Sequence, residues 1–353
     1  MSLHAVRFLA LFSLLAGCAA DVASDSAALV APAGAATRAA PPSAAEIATL
    51  ALPGENQRVI VQAHYAFVVG GAGLYVVDVH DATAPFIAKH VSIGYYAWDL
   101  ALENGYAFVA AGSGGVAIVD VSSPPDAHLV ALHPTGSEAL GIDVALGRAV
   151  VALGNDGIDV LDVSDPLASQ TVGHLAGGYP EDVAIVGDRV YVARTFEGVR
   201  AYRMAQSGTQ VSLVLEGRNS TFAYAFHLVH HPAMNVLYVA DAFAGLRTID
   251  AEPDPGIDPS VADNLASLGA LGMPQFVFTV DVDGDDVAVA NTYHGWRLVN
   301  GADPSALAET LHIEPGGTVD GVDLTRLHVP GVGRPRCLVT AESSMLRIYR
   351  LAP

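Results

Sequence analysis

Cysteine is almost absent from this chain: Cys18 and Cys337 are the only two. The sequence after Cys18 therefore holds one thiol and no internal disulfide, so its stability must come from buried apolar surface. Basic residues are scarce as well. Seventeen Lys and Arg stand against 37 Asp and Glu, a formal charge of −20, which excludes a nucleic-acid binder that relies on a basic face. Aromatics make up 7% of the residues while glycines number 35, a balance that suits many short strands and tight turns. The apolar stretch from Phe8 to Leu15 is too short to span a bilayer as a helix. Phosphate-binding and dinucleotide fingerprints are missing, and so is any HExxH. Gly112-Ser113-Gly114-Gly115 sits between two strand-like runs and is not a nucleophile elbow. No catalytic residue is assigned.

What the chain does have is repetition. GLYVVDV starts at Gly73, GVAIVDV at Gly115 and GIDVLDV at Gly157, followed by GVRAYRM at Gly198, GLRTIDA at Gly245 and GWRLVNG at Gly295. A degenerate copy, MLRIYRL, starts at Met345, and the steps between copies are 42, 42, 41, 47, 50 and 50 residues. That is the length of one small antiparallel sheet. Each copy contains four β-prone runs separated by turns rich in Gly, Asn, Ser and Pro. The runs are apolar on both faces, as in strands packed between two neighbouring sheets.

Radial packing of four-stranded blades meets that requirement. The expectation is an all-β, seven-bladed β-propeller with blades near 57–94, 97–134, 139–176, 180–217, 223–270, 274–313 and 319–351. The last copy lacks a fourth run, whereas 46–52 (EIATLAL) is an orphan run before the first. That N-terminal strand is expected to complete the last blade and close the ring, removing the free edges of an open array.

The segments Tyr75-Val76-Val77-Asp78, Ala117-Ile118-Val119-Asp120 and Asp159-Val160-Leu161-Asp162 resemble the LVIVD repeat family, found in bacterial and archaeal cell-surface proteins. The resemblance implies a β-propeller, mostly of unassigned biochemical function. It fades in the later copies, where Arg203, Asn300 and Arg350 replace the aspartate.

Residues 1–18 read as a signal peptide ending in Leu15-Ala16-Gly17-Cys18, which resembles a lipobox with Cys18 as the lipidation site. An ordinary signal peptide with an incidental cysteine is the alternative. Residues 19–45, rich in Ala, Ser and Pro, read as a disordered tether, leaving 46–353 for the propeller. Ala19 after the cysteine favours the sorting that such lipoproteins have in Gram-negative bacteria, to the outer membrane, with the domain periplasmic or surface-exposed.

In a propeller, the loops that enter each first strand and those that join the second strand to the third share the channel mouth. They carry Tyr95, Tyr96, Trp98, Glu138, Tyr179, Glu181, Arg194, Phe196, Tyr224, His227, Asp241, Phe243, Tyr293 and His294. Aromatic and polar groups converging on one depression form a candidate binding surface; plugging of the mouth as core is the competing reading. At the starts of the inner strands stand Asp99, Asp143, Asp182, His227 and Asp323, with an interruption at Phe278 and Thr279. Facing the channel they would favour Ca²⁺ or another divalent cation; facing the next blade they would accept main-chain hydrogen bonds, and this is the favoured reading. Asp281-Val282-Asp283-Gly284-Asp285-Asp286 lacks the EF-hand spacing and reads as a hairpin tip. Cys337 falls in a buried strand and reads as an inert thiol.

The functional expectation is a monomeric, lipid-anchored, non-catalytic module with no cofactor, whose mouth contacts an envelope protein, peptide or glycan. The alternative is a lactonase-like, metal-dependent propeller hydrolase with Asp143, Asp182, Glu181 and His227 around a channel cation. A spacer without a ligand of its own is a third reading.

Overall fold

A computed structural model of the chain describes residues 42–220 and 223–352. Cys18 and most of the expected tether lie outside the described residues. Seven four-stranded antiparallel sheets follow one another along the chain. The first strands of successive blades contact one another all the way round, from Asn56–Gln62 through Asp99–Glu103, Gly141–Ala145, Asp182–Val186, His227–His231 and Thr279–Asp283 to Val319–Arg326 and back. These strands line the axis of a seven-bladed β-propeller.

The ring closes as the orphan run implied. Strand Ser43–Ala51 pairs with Met345–Ala352 and supplies the outer strand of the seventh blade. It starts three residues before the expected Glu46. Ser43, Ala44 and Ala45 give no hydrophobic signal, but their main chain pairs with Ala352, Leu351 and Arg350. Its register shifts between Glu46 and Ala48, opposite Tyr349 and Ile348. The equivalent shift, between the third and fourth residues of the matching run, occurs in the outer pair of the other blades, as at Val76/Val77, Ile118/Val119 and Val160/Leu161. A bulge in the same place bends each outer strand to the same degree and makes the blades stackable.

The repeat's glycine and acid now have physical roles. Gly73, Gly115, Gly157, Gly198, Gly245 and Gly295 all have positive φ. A side chain at Gly73 or Gly115 would also collide with the main-chain carbonyl of Val91 or His133 on the outer strand. Glycine is thus required both by conformation and by space. At the far end of the third strand, Asp78 accepts the amide of His80, Asp120 that of Ser122 and Asp162 that of Ser164. These bonds set the turn to the outer strand. Asp250 and Asn300 make the same bond to Glu252 and Ala302.

The side chains between turns fill the spaces between blades. Val69, Leu74 and Val76 of blade 1 pack with Leu100, Val109 and Val119 of blade 2, and the pattern recurs round the ring. Fully burying each aliphatic side chain stabilises the fold by roughly 1.5–3 kcal/mol. Truncating fully buried Ile118 to alanine should cost about 2–5 kcal/mol. Cys337 is part of the packing between blades 7 and 1, and burial pushes its thiol pKa up. The 281–286 segment is a hairpin tip, with Asp283 pairing with Asp286 across Gly284.

Candidate functional site

The innermost strand of each blade has one edge bonded to its own sheet and one edge turned to the axis, where main-chain N–H groups need acceptors. The carboxylates of the preceding blade supply them. Asp99 accepts the amide of Ile142 at 3.0 Å, Asp143 that of Ile185 at 2.7 Å and Asp182 that of Leu228 at 2.9 Å. Asp281 accepts from Leu324 at 2.6 Å and Asp323 from Val61 at 3.0 Å. His227 Nδ1 takes the same place for Val280, at 3.4 Å. Each group stitches one blade to the next.

This ring differs from the sequence expectation in two ways. It does not break in blade 6, because Asp281 of the hairpin segment fills the place that Phe278 and Thr279 appeared to vacate. It also has two tiers. Asp99, Asp182 and His227 open their strands opposite Ala110, Ala193 and Ala240. Asp143, Asp281 and Asp323 lie two residues farther along, opposite Val150, Ala288 and Val339.

Burial pushes the carboxyl pKa of all five up, Asp143 to about 6, with Asp99 and Asp281 also raised. Asp182 and Asp323 rise well above the ordinary range, chiefly by burial and then through the charges of Asp99 and Asp281 respectively. Burial, followed by the charge of Arg58, holds the His227 imidazole well below its usual value. Arg58 completes the arrangement from blade 1, with its Nε 3.4 Å from Asp99 Oδ1. Arg58, Asp99, Asp143, Asp182 and His227 line a channel cavity of about 650 Å³.

The four residues of the metal reading do not converge. Asp182 and His227 approach to 3.7 Å, but Glu181 accepts the Tyr224 hydroxyl at 3.0 Å, and Asp143 sits one tier lower. No group of three or more His, Cys, Asp and Glu is arranged to hold a metal ion among the described residues.

At the mouth, the structure separates the candidates by depth. Glu181, Tyr224, His227 and Asp241 are buried and support the surface without forming it. Asp241 accepts the Tyr224 amide at 2.7 Å and lies 3.4 Å from Arg247 Nη1. Arg194 is partly buried and donates to the Tyr202 hydroxyl at 2.6 Å. Tyr96 and Trp98 pack together with ring centroids 4.4 Å apart, and the Tyr96 hydroxyl reaches Glu55 at 3.2 Å. Tyr179 packs beside Gly154. Exposed candidates are Tyr95 at 42%, Phe196 at 57%, Phe243 at 53% and Tyr293 at 72% of full accessibility. Glu138 is exposed, and His294 lies 3.3 Å from Glu314.

Three aromatics were absent from the candidate surface read from the sequence. Phe226, Phe276 and Phe278 join Phe196, Tyr224 and Phe243 in one continuous cluster over blades 4 to 6. Phe196 meets Tyr224 edge-on at 4.9 Å, Phe226 meets Phe278 at 4.7 Å and Phe276 at 5.3 Å, and Phe243 meets Phe276 at 5.4 Å. Phe226 and Phe278 occupy the place of Trp98: each donates its amide to the alanine that ends the second strand, Ala240, Ala290 and Ala110 in turn. That equivalence is readable from the repeat alignment and was the signal available. Phe196 and Phe243 cap this cluster from the second-to-third turns.

The LVIVD repeat matches residues 53–92 and 94–131, in the first two blades of this seven-bladed β-propeller. Among solved structures, it is similar to the β-propeller domain of Myceliophteria thermophila Cps50 (Swd1), with a TM-score of 0.66 at 12% identity, over 87% of this chain and 99% of that one. The WD40 β-propeller domain of Doa1 gives a TM-score of 0.65 at 10% identity, over 87% of this chain and 96% of that one. A computationally designed protein, Ika8, gives 0.58 at 10% identity, over 84% of this chain and 83% of that one. At such identities the likeness concerns the fold alone. No curated protein matches the chain.

Proposed function

We propose that this propeller is a non-catalytic interaction module of the cell envelope, held to the membrane by a lipid on Cys18, whose channel mouth binds a protein, peptide or glycan partner. One observation carries the reading. Five aromatic side chains are exposed among the described residues, Phe86, Tyr95, Phe196, Phe243 and Tyr293, and four of them belong to the mouth turns. In blades 4 and 5 the exposed rings rest on a second layer of aromatics, so their positions are fixed before a partner arrives. Pre-organised aromatic anchors with few rotatable bonds are the groups that dominate interfaces.

The channel beneath is occupied with stitching the blades together, which favours recognition at the mouth over chemistry in the channel. The test is capture from envelope extracts by the mature protein and by a Phe196→Ala/Phe243→Ala variant. Both side chains are more than half exposed, so the variant should lose no more than about 1 kcal/mol of stability while losing its partner. Capture at wild-type level by the folded variant would overturn the reading.

A further inference from the structure

On the face opposite the mouth, at the seam where blade 7 meets blade 1, three histidines from three separate loops surround one groove. His64 belongs to the first hairpin turn of blade 1, His80 to the turn before its outer strand, and His328 to the loop that follows the inner strand of blade 7. The ring centroids of His64 and His80 are 5.4 Å apart, and those of His80 and His328 are 6.1 Å apart. The groove encloses about 400 Å³, and its lining includes Val79, Leu327 and Arg334.

The loops are fixed by their main chains. Val79 donates its amide to the carbonyl of His64 at 2.9 Å, and Ala82 donates to the carbonyl of His328 at 2.9 Å. Val79, Ala82, Leu327 and Val329 beneath them are buried in the closing core. His64, His80 and His328 are exposed, and exposed side chains change rotamer on a picosecond-to-nanosecond scale. A rigid base thus carries three mobile imidazoles.

The separations of 5.4 and 6.1 Å about His80 lie near those of rings that share an ion. With Zn–N near 2.0–2.1 Å, an imidazole centroid lies about 3 Å from the metal, and two rings at a tetrahedral angle are about 5 Å apart. The rings are not assembled as a metal site in the present arrangement; side-chain rotation about fixed backbones brings them together. Three imidazole nitrogen donors suit Zn²⁺ or another borderline transition metal, and not Ca²⁺ or Mg²⁺. Asp81 stands in the same turn and accepts hydrogen bonds from the amide and hydroxyl of Thr83. Arg334, the one cation of the lining, donates to the carbonyl of Arg326 at 3.3 Å.

We propose that His64, His80 and His328 form a transition-metal site that clamps blade 7 to blade 1 at the point of ring closure. A metal bound by the folded state alone raises its stability by mass action. The test is calorimetric titration of Zn²⁺ into the full chain, prepared without a histidine tag, with thermal melts of the same samples. The wild type should take up one ion per chain and gain melting temperature, while Ca²⁺ and Mg²⁺ do neither. His80→Ala and the His64→Gln/His328→Gln variant should each weaken uptake at least about tenfold and abolish the thermal gain, whereas His174→Ala, on another blade, keeps both. Absence of Zn²⁺ uptake, uptake undiminished in either variant, or uptake without a rise in melting temperature would overturn the clamp.

Discussion

Blades 1 to 3 and blades 4 to 7 are built on the same plan but differ in what their third strands carry. At the third position of the repeated segment the early blades have Tyr75, Ala117 and Asp159, whereas the later ones have Arg200, Arg247, Arg297 and Arg347. The later arginines turn back to the loop of their own blade: Arg247 to Asp241, Arg297 to Asn291 and Arg347 to Glu342. Arg200 bonds the main chain of Glu197. In the early half, Asp159 pairs instead with a more exposed His174 at 2.8 Å. The aromatic cluster also lies in the later half. Departure from the repeat therefore marks where mouth loops are braced by buried polar pairs and topped by rings, while adherence to it marks scaffold.

The comparison is most sharply tested by breaking one brace in each half. Arg247→Ala strands Asp241, which has no solvent exposure, and should cost about 3–5 kcal/mol. His174→Ala removes a partner that is 42% exposed from the largely buried Asp159 and should cost less, about 1 kcal/mol. Urea unfolding measures both; equal costs would erase the distinction.

A second contrast lies in pH. Burial, then the charges of Glu55 and Glu342, pushes Asp320 of blade 7 up to about 7, against an ordinary 3.8, and Asp143 of blade 3 rises to about 6. In both, the folded state holds its proton more tightly than the unfolded chain. Their stabilisation is complete below pH 4 and is lost as pH rises, up to about 6 for Asp143 and about 7 for Asp320. Asp320→Asn should recover on the order of 2–4 kcal/mol at pH 8 relative to pH 4, seen as a flatter stability profile. An unchanged slope would remove Asp320 from this account.

The smallest effect concerns a turn in the regular half. Leu146 holds φ 54° in a first hairpin turn and is 87% exposed, whereas blade 2 has Asn104 at φ 51° in the same place. Leu146→Asn should stabilise by about 0.5–1 kcal/mol, because asparagine tolerates the left-handed region better. A loss would show that Leu146 makes contacts that outweigh its backbone strain.

The blades and the closing strand were legible because the repeat states them several times over, whereas the turn roles of its glycines and aspartates came from the structure. Asp281 was misread because its carboxylate-rich surroundings looked like a loop, although its place in the strand register is that of Asp143 and Asp323. The site was legible in outline only. Sequence placed Phe196 and Phe243 in mouth turns, but depth is set by packing between blades, which no single repeat encodes. Asp241 and Glu181 looked as available as Glu138 for that reason, yet both are buried. The three histidines of the seam lie far apart in sequence, with His328 beyond 240 intervening residues, and only ring closure brings them together.

Hydrogen exchange of the captured complex tests the central claim most directly. The account predicts that partner binding slows exchange in the turns at 194–198, 241–245 and 291–295, with little change in the mouth turns of blades 1 to 3. Protection centred on blades 1 to 3, or on the face opposite the mouth, would contradict it.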